Sequence, residues 1–76
     1  MNHYKQSKTE AIEIMRGAMS DEQFEGFLLG NVYKYLHRYR HKGSADVDLA
    51  KALDYLTALD RFNANKDIRN PFKEVV

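Results

Sequence analysis

The sequence predicts an all-α protein in which two long helices form an antiparallel hairpin and a short N-terminal helix packs across it. Apolar residues recur at three- and four-residue steps in three segments, as they do along one side of a helix. No segment alternates apolar and polar residues long enough to indicate a strand. The only proline, Pro71, lies close to the C-terminal end and interrupts none of the three segments.

The first helix is predicted over residues 8–18, with residues 1–6 as a flexible N-terminus. Ser7 and Glu10 have the spacing of a capping box, in which a serine and an acidic or amide side chain satisfy each other's backbone N–H groups. An apolar run with helical spacing follows them (Ala11, Ile12, Ile14, Met15, Ala18 and Met19). Gly17 lies near the predicted end of the helix.

The second helix is predicted from a repeat of the same capping pattern, Ser20 with Gln23, to about Lys42. Two acidic residues directly after Ser20 suit the positive end of the helix dipole. Gly43 is expected to end the helix. Apolar side chains recur throughout its length (Phe24, Phe27, Leu28, Val32, Tyr35, Leu36 and Tyr39).

The third helix is predicted from a Ser44 cap to about Phe62. Its apolar stripe consists of Leu49, Ala52, Leu53, Leu56 and Leu59. Residues 63–76 are expected to form a polar C-terminal tail, because Asn70-Pro71 breaks any further helix. The Gly43-Ser44 bend then joins two arms of about 20 residues, and residues 1–76 form one small domain.

The length of 76 residues predicts self-association. A chain this short buries only about 60% of the surface that its unfolded form exposes, and without cysteine it has no disulfide to compensate. Gly26 and Gly30 lie four residues apart on one side of the second helix, and each costs about 1 kcal/mol of helix propensity. The close approach of another helix would offset that cost, and it can come from the first helix or from a second subunit.

The composition predicts a cytoplasmic protein. The chain has no cysteine, no apolar run near the roughly 20 residues that a membrane span needs, and no apolar stretch typical of a signal peptide. The net charge is only +1, but the charges are unevenly distributed: residues 26–45 contain no acidic side chain. Because the net charge is small, binding to a nucleic-acid backbone is a weaker hypothesis than binding to a small anionic ligand.

The second half of the second helix carries the residues that best suit an anionic ligand. Asn31, Lys34, Arg38 and His41 recur at three- and four-residue steps and share one side of the helix, bordered by Tyr35 and Lys42. Lysine and arginine side chains suit phosphate oxygens, arginine as a planar fork. On the third helix, Lys51 and Tyr55 are one turn apart and approach this end of the hairpin.

Each of these residues also has a structural interpretation. Cations near a helix C-terminus are stabilised by the helix dipole by about 0.3–1 kcal/mol each. They can also pair across the hairpin with Asp46, Asp48 or Asp54. Lys51 can be an ordinary solvated side chain, and Tyr55 a partly buried core ring.

Other motifs are weak. His37 and His41 have the spacing of a metal clamp, but no acidic or cysteine ligand adjoins them and nearby cations oppose a metal ion. No metal site is therefore predicted. No phosphate loop is present, since Lys42-Gly43-Ser44 has the wrong order. The Asn-Pro-Phe run at residues 70–72 is attributed to chance.

The order of several short motifs resembles a small phage family. They are His3-Tyr4-Lys5, Glu10-Ala11-Ile12, Leu29-Gly30-Asn31-x-x-Lys34-Tyr35-Leu36-x-Arg38, Lys42-Gly43, and Asp48-Leu49-x-Lys51-Ala52-x-x-Tyr55-Leu56. Together they resemble the SaV-like family, a domain of unknown function often labelled nucleotide kinase, over about residues 3–59.

This resemblance implies a helical phage protein that binds nucleotides and is linked to deoxynucleoside monophosphates. It adds Tyr4 to the expected binding residues, which are Tyr4, Asn31, Lys34, Tyr35, Arg38, Lys42, Lys51 and Tyr55. It leaves His3 and Glu10 as the only acid–base candidates. The residues themselves imply no cofactor, although a kinase would use ATP and Mg²⁺. The alternative is a non-catalytic phage inhibitor that binds a host protein or sequesters a host signalling nucleotide.

Overall fold

The computed structural model describes residues 4–41 and 43–73, and the side chains of residues 11–41 and 43–73. Three helices occur in this part of the chain: α1 (Tyr4–Ala18), α2 (Asp21–Arg38) and α3 (Ala45–Ala64). No strand occurs in these described ranges. The predicted all-α class is therefore confirmed.

Helices α2 and α3 form the predicted antiparallel hairpin. Arg38 approaches Asp48 beside the connecting turn, with 3.7 Å between the charged atoms. At the opposite end, the rings of Phe24 and Phe62 meet edge to face with their centroids 5.1 Å apart. Phe24, Leu28, Ala58 and Phe62 are the buried centre of the core. Ile12 and Met15 of α1, and Met19 directly after it, pack against this centre.

Helix α2 begins where the capping pattern of the sequence predicts. The Gln23 N–H donates to Ser20 Oγ over 3.1 Å, and the Ser20 N–H donates to Gln23 Oε1 over 2.9 Å. The predicted capping box is thus confirmed. The corresponding prediction for α1 is wrong, because α1 already begins at Tyr4 and Ser7 lies inside it. Residues 4–8 contain no glycine or proline that would stop the helix from extending towards the N-terminus.

The turn between the long helices differs from its prediction. Helix α2 ends at Arg38, and residues 39–41 form a turn in which the His41 N–H donates to the Arg38 carbonyl over 3.0 Å. No described glycine has a positive φ, so Gly43 does not supply the left-handed stop that was expected. Ser44 does occupy the N-cap position of α3, but its side chain makes no capping hydrogen bond.

Residues 65–73, predicted as part of a polar tail, fold back onto the core. Pro71 is fully buried, and Ile68 and Phe72 pack against the buried cluster. Arg61 holds this segment by donating to the carbonyls of Pro71 and Lys73, each over 3.2 Å. The three apolar residues therefore enlarge a core that the helices alone would leave small.

Candidate functional site

Three side chains of the predicted anion-binding surface meet on α2. The Nζ atom of Lys34 lies 4.4 Å from the centroid of the Tyr35 ring. The Cζ atom of Arg38 lies 5.6 Å from the same centroid. An aromatic ring attracts cations through its electron-rich face. Both cations therefore lie near the ring of Tyr35 on this side of α2.

Tyr35 is itself held by α3. Its ring stacks on that of Tyr55, with 5.8 Å between the centroids and 25° between the planes. The edges of two further rings meet Tyr55: Phe27 at 6.1 Å and Phe72 at 5.0 Å between centroids. Tyr55 thus matches the structural interpretation offered above, a partly buried ring that belongs to the core. Through it, the core orients Tyr35.

Arg38 has the cross-hairpin partner that the alternative interpretation anticipated. Its Nη2 atom lies 3.7 Å from Oδ1 of Asp48, whose residue is only 2% exposed. The second carboxylate oxygen of Asp48 is buried without a hydrogen-bond donor among the described residues. Lys34 forms no ion pair within the same part of the chain. Among the described residues, an acidic side chain of α3 therefore pairs with Arg38 but not with Lys34.

The remaining predicted residues are placed less favourably or lie outside the described part. The Nδ2 group of Asn31 donates to the Phe27 carbonyl of its own helix over 2.9 Å, so this donor is already used. Lys51 is exposed and one helical turn from Tyr55, on the side of Asp48. His3 and Lys42 lie outside the described residues. Tyr4 and Glu10 belong to α1, but their side chains lie outside the described ones.

We call the surface formed by Asn31, Lys34, Tyr35, Arg38, Lys51 and Tyr55 the basic face. Its cationic side chains are exposed, whereas its tyrosines are half-buried. The rings of His37 and His41 are adjacent on the neighbouring turn, with centroids 4.8 Å apart. Within the described residues, no three histidine, aspartate or glutamate side chains are grouped so that they could hold a metal ion.

Sequence reasoning missed the two phenylalanines that support the basic face. The sequence pattern places Phe27 only in an apolar stripe, and Phe72 in a polar tail. The tail contains Ile68, Pro71 and Phe72 at steps of three and one residues, and this concentration of apolar side chains was a signal for packing. In the structure, the ring of Phe72 packs against that of Tyr55, with 5.0 Å between the centroids.

The burial of Tyr55 predicts a loss of stability at alkaline pH. Desolvation by burial raises the pKa of Tyr55 above its ordinary value of 10.0, with Tyr35 and Asp54 adding to the effect. The unfolded chain then loses this proton before the folded one does. The contribution to stability is present below pH 10 and declines as the pH rises through the folded-state pKa. Urea denaturation between pH 8 and 11 should show this decline.

The control compares two conservative variants. Tyr55→Phe removes the titrating hydroxyl and should flatten the alkaline decline, whereas Tyr39→Phe removes the hydroxyl of a turn residue that is not among the aromatic neighbours of Tyr55 and should leave it unchanged. An equal slope for wild type and Tyr55→Phe would contradict the assignment of the effect to Tyr55.

Comparison with known proteins agrees with part of the expected identity. The chain is 39% identical over 64 residues to the Gene 1.7 protein of Enterobacteria phage T3. This match covers 79% of the chain but only 39% of the phage protein, so the chain spans less than half of that relative. No solved structure matches the chain. Among the described residues, no helix is long and apolar enough to cross a membrane.

A family model matches residues 1–57, which include α1, α2 and most of α3. Its description names no activity, so the prediction of a small phage domain of unknown function is confirmed and the nucleotide-kinase label is not part of the match. The chain belongs to the family described as a protein of unknown function, DUF3310.

Proposed function

We propose that this protein binds a nucleotide on the basic face, with Lys34 and Arg38 holding the phosphate. The observation that carries the proposal is the meeting of these two cations at the ring of Tyr35, 4.4 and 5.6 Å from its centroid. Two cations that lie near the same ring can both donate to the oxygens of one phosphate. A pair that only served the helix dipole would not need such an arrangement.

The contact with Asp48 is compatible with this role. The 3.7 Å separation exceeds the roughly 2.7–2.9 Å of a close charge-assisted hydrogen bond. The Arg38 side chain remains about half exposed, at 46%. A guanidinium has five N–H donors, and one oriented by a buried carboxylate still offers others to a ligand. The contact with Asp48 therefore leaves donors of Arg38 available for a phosphate.

Lys51 is the third cation of the proposed site. Tyr35 stacks on Tyr55 and Arg38 approaches Asp48, so the antiparallel register brings Lys51 between these two contacts. It is exposed, as a residue that neutralises a ligand must be. The ring of Tyr35 already stacks on Tyr55 and has Lys34 and Arg38 near it. We therefore assign Tyr35 the role of positioning these two cations, because its ring is already occupied by these contacts and is not needed to stack on a base.

The proposed ligand class is a deoxynucleoside monophosphate, which the resemblance of the motifs implies and whose single phosphate suits a small cluster of cations. A kinase reaction would also need ATP and Mg²⁺, normally held by carboxylates or hydroxyls. The described residues provide no group of three metal ligands. The proposed function is therefore binding of the nucleotide.

Calorimetric titration of the full chain with each deoxynucleoside monophosphate tests the proposal. Lys34→Ala and Arg38→Ala should each weaken binding by about 10–100-fold, because a hydrogen bond to a charged group contributes about 1.5–3 kcal/mol. Arg69→Ala is the matched control, since it removes one exposed cation outside the basic face. The corresponding nucleoside, which lacks phosphate, should not bind measurably.

Equal binding by wild type, Lys34→Ala and Arg38→Ala would contradict the proposal, as would an equal loss in Arg69→Ala. Addition of ATP and Mg²⁺ to the same samples tests for transfer of the γ-phosphoryl group. Formation of ADP and a deoxynucleoside diphosphate would extend the proposal to a kinase. Tight capture of a host protein without any nucleotide binding would instead favour an inhibitor.

A further inference from the structure

A second surface of the hairpin is apolar and exposed. Its side chains are between 36% and 65% exposed and come from both long helices: Leu29, Tyr33 and Leu36 of α2, and Leu49, Leu53 and Leu56 of α3. We call this surface the leucine face. A contiguous apolar surface of this kind is unusual on a soluble monomer and marks a site of association.

The two halves of the leucine face point in the same direction. Glu25 of α2 lines one shallow groove with Leu56, Leu59, Asp60 and Asn63 of α3. Leu29 and Leu36 follow Glu25 by four and eleven residues, and Leu49 precedes Leu56 by seven, so they extend the two sides of this groove along the hairpin. Asn31, Lys34 and Arg38 lie on the other side of α2. The leucine face and the basic face are therefore on opposite sides of the hairpin.

No described residue of the chain covers the two helix glycines that border this surface. A Cβ atom added to Gly26 or Gly30 would meet nothing within 4 Å. The described parts of α1 and α3 therefore leave both glycines open to the close approach of a helix from a second subunit.

The chain exposes more surface than a compact monomer of its mass. Its accessible surface is 5813 Å² for 8.9 kDa, whereas a compact monomer of that mass exposes about 4,800 Å². A standard protein interface, in which each partner buries roughly 800 Å², is therefore compatible with the surface of this chain.

The ends of the leucine face carry opposite charges that suit a second copy turned end to end. Glu22, Glu25 and Asp60 lie at the end formed by the start of α2 and the last turns of α3. Arg40 lies at the other end, in the turn after α2, where Asp46 of α3 is also exposed. A two-fold axis perpendicular to the helices brings Glu25 of one copy towards Arg40 of the other, twice in each dimer.

We propose that the leucine face binds the same face of a second copy, and that the two hairpins form an antiparallel four-helix bundle. Glu25 of each subunit lies near Arg40 of the other. Both basic faces remain on the outside of the bundle, so each subunit binds its ligand without residues from its partner. The dimer therefore does not depend on the proposed nucleotide binding.

Sedimentation equilibrium of the full chain tests the dimer. Wild type should have twice the mass of one chain, and Leu56→Lys should raise the dimer dissociation constant at least about 100-fold, because each dimer would bury two unpaired charges. Val47→Lys is the matched control. Val47 is also on α3 and 49% exposed, but it lies on the side of the basic face, so its variant should remain dimeric.

A charge exchange tests the orientation. Glu25→Arg and Arg40→Glu should each weaken the dimer by placing like charges together, and the double variant should restore it. Circular dichroism should show unchanged helix content in every variant, since all these side chains are exposed. A monomeric wild type at 100 μM would overturn the proposal, and so would equal weakening by Val47→Lys and Leu56→Lys. Unchanged nucleotide binding by monomeric Leu56→Lys would separate this surface from the basic face.

Discussion

Replacement of Phe62 by alanine is expected to lower the free energy of unfolding by about 3–5 kcal/mol. Phe62 is 0% exposed, and its ring meets that of Phe24 across the hairpin at 5.1 Å. The Arg16 guanidinium lies over the same ring at 4.8 Å. The substitution therefore leaves a cavity where α1, α2 and α3 meet, and the neighbouring side chains cannot close it without moving several elements.

A loss of this size is a large share of the total stability, because a domain of 76 residues is stable by about 4–11 kcal/mol. Urea denaturation followed by circular dichroism measures the change. Val47→Ala removes an apolar side chain from an exposed position of α3 and should change the free energy by less than about 0.5 kcal/mol. A Phe62→Ala variant as stable as Val47→Ala would contradict the assignment of Phe62 to the centre of the core.

Replacement of Arg16 by alanine is expected to cost about 2–3 kcal/mol, although arginine is a typical surface residue. Only 16% of its side chain is exposed. Its guanidinium donates to the carbonyls of Met19 and Lys66, over 3.2 and 2.9 Å, and pairs with the carboxylate of Asp21. The variant leaves these carbonyls without their donor and exposes the face of the Phe62 ring.

Two measurements distinguish this effect from the loss of a charge. Arg16→Lys keeps the charge but not the planar fork, so it should recover only part of the lost stability. Amide exchange should accelerate in residues 65–73 of the Arg16→Ala protein, because Arg16 connects α1 to that segment through the Lys66 carbonyl. Full recovery by lysine, or unchanged exchange in this segment, would show that the hydrogen bonds of Arg16 are not what stabilises the fold.

The basic face illustrates how far residue spacing predicts a site. The three- and four-residue steps of α2 were enough to predict that Lys34 and Arg38 share a side of one helix, because helical geometry is local. Their relation to Tyr35 depends on Tyr55, which α3 presents from 20 residues further along the chain. No spacing rule predicts which of two possible partners, an external anion or Asp48, meets Arg38 across the hairpin.

Helix type and the N-cap of α2 followed from the sequence because they depend on contacts within one or two turns. The capping box of Ser20 and Gln23 is made from residues three apart, and the apolar steps of α2 and α3 match the helical period. Weaker local signals did not determine two other helix ends: Ser7 lies inside α1, and α2 ends at Arg38 before it reaches Gly43.

Only the tertiary structure decided which apolar residues became core and which remained exposed. Leu28 and Leu29 are neighbours in the chain, yet the first is buried and the second forms part of the leucine face. Likewise, Pro71 is buried although it lies in the segment that follows α3 and belongs to no helix. These outcomes depend on how separate elements cover one another, since burial is a property of the whole assembly of helices and not of a residue's own hydrophobicity.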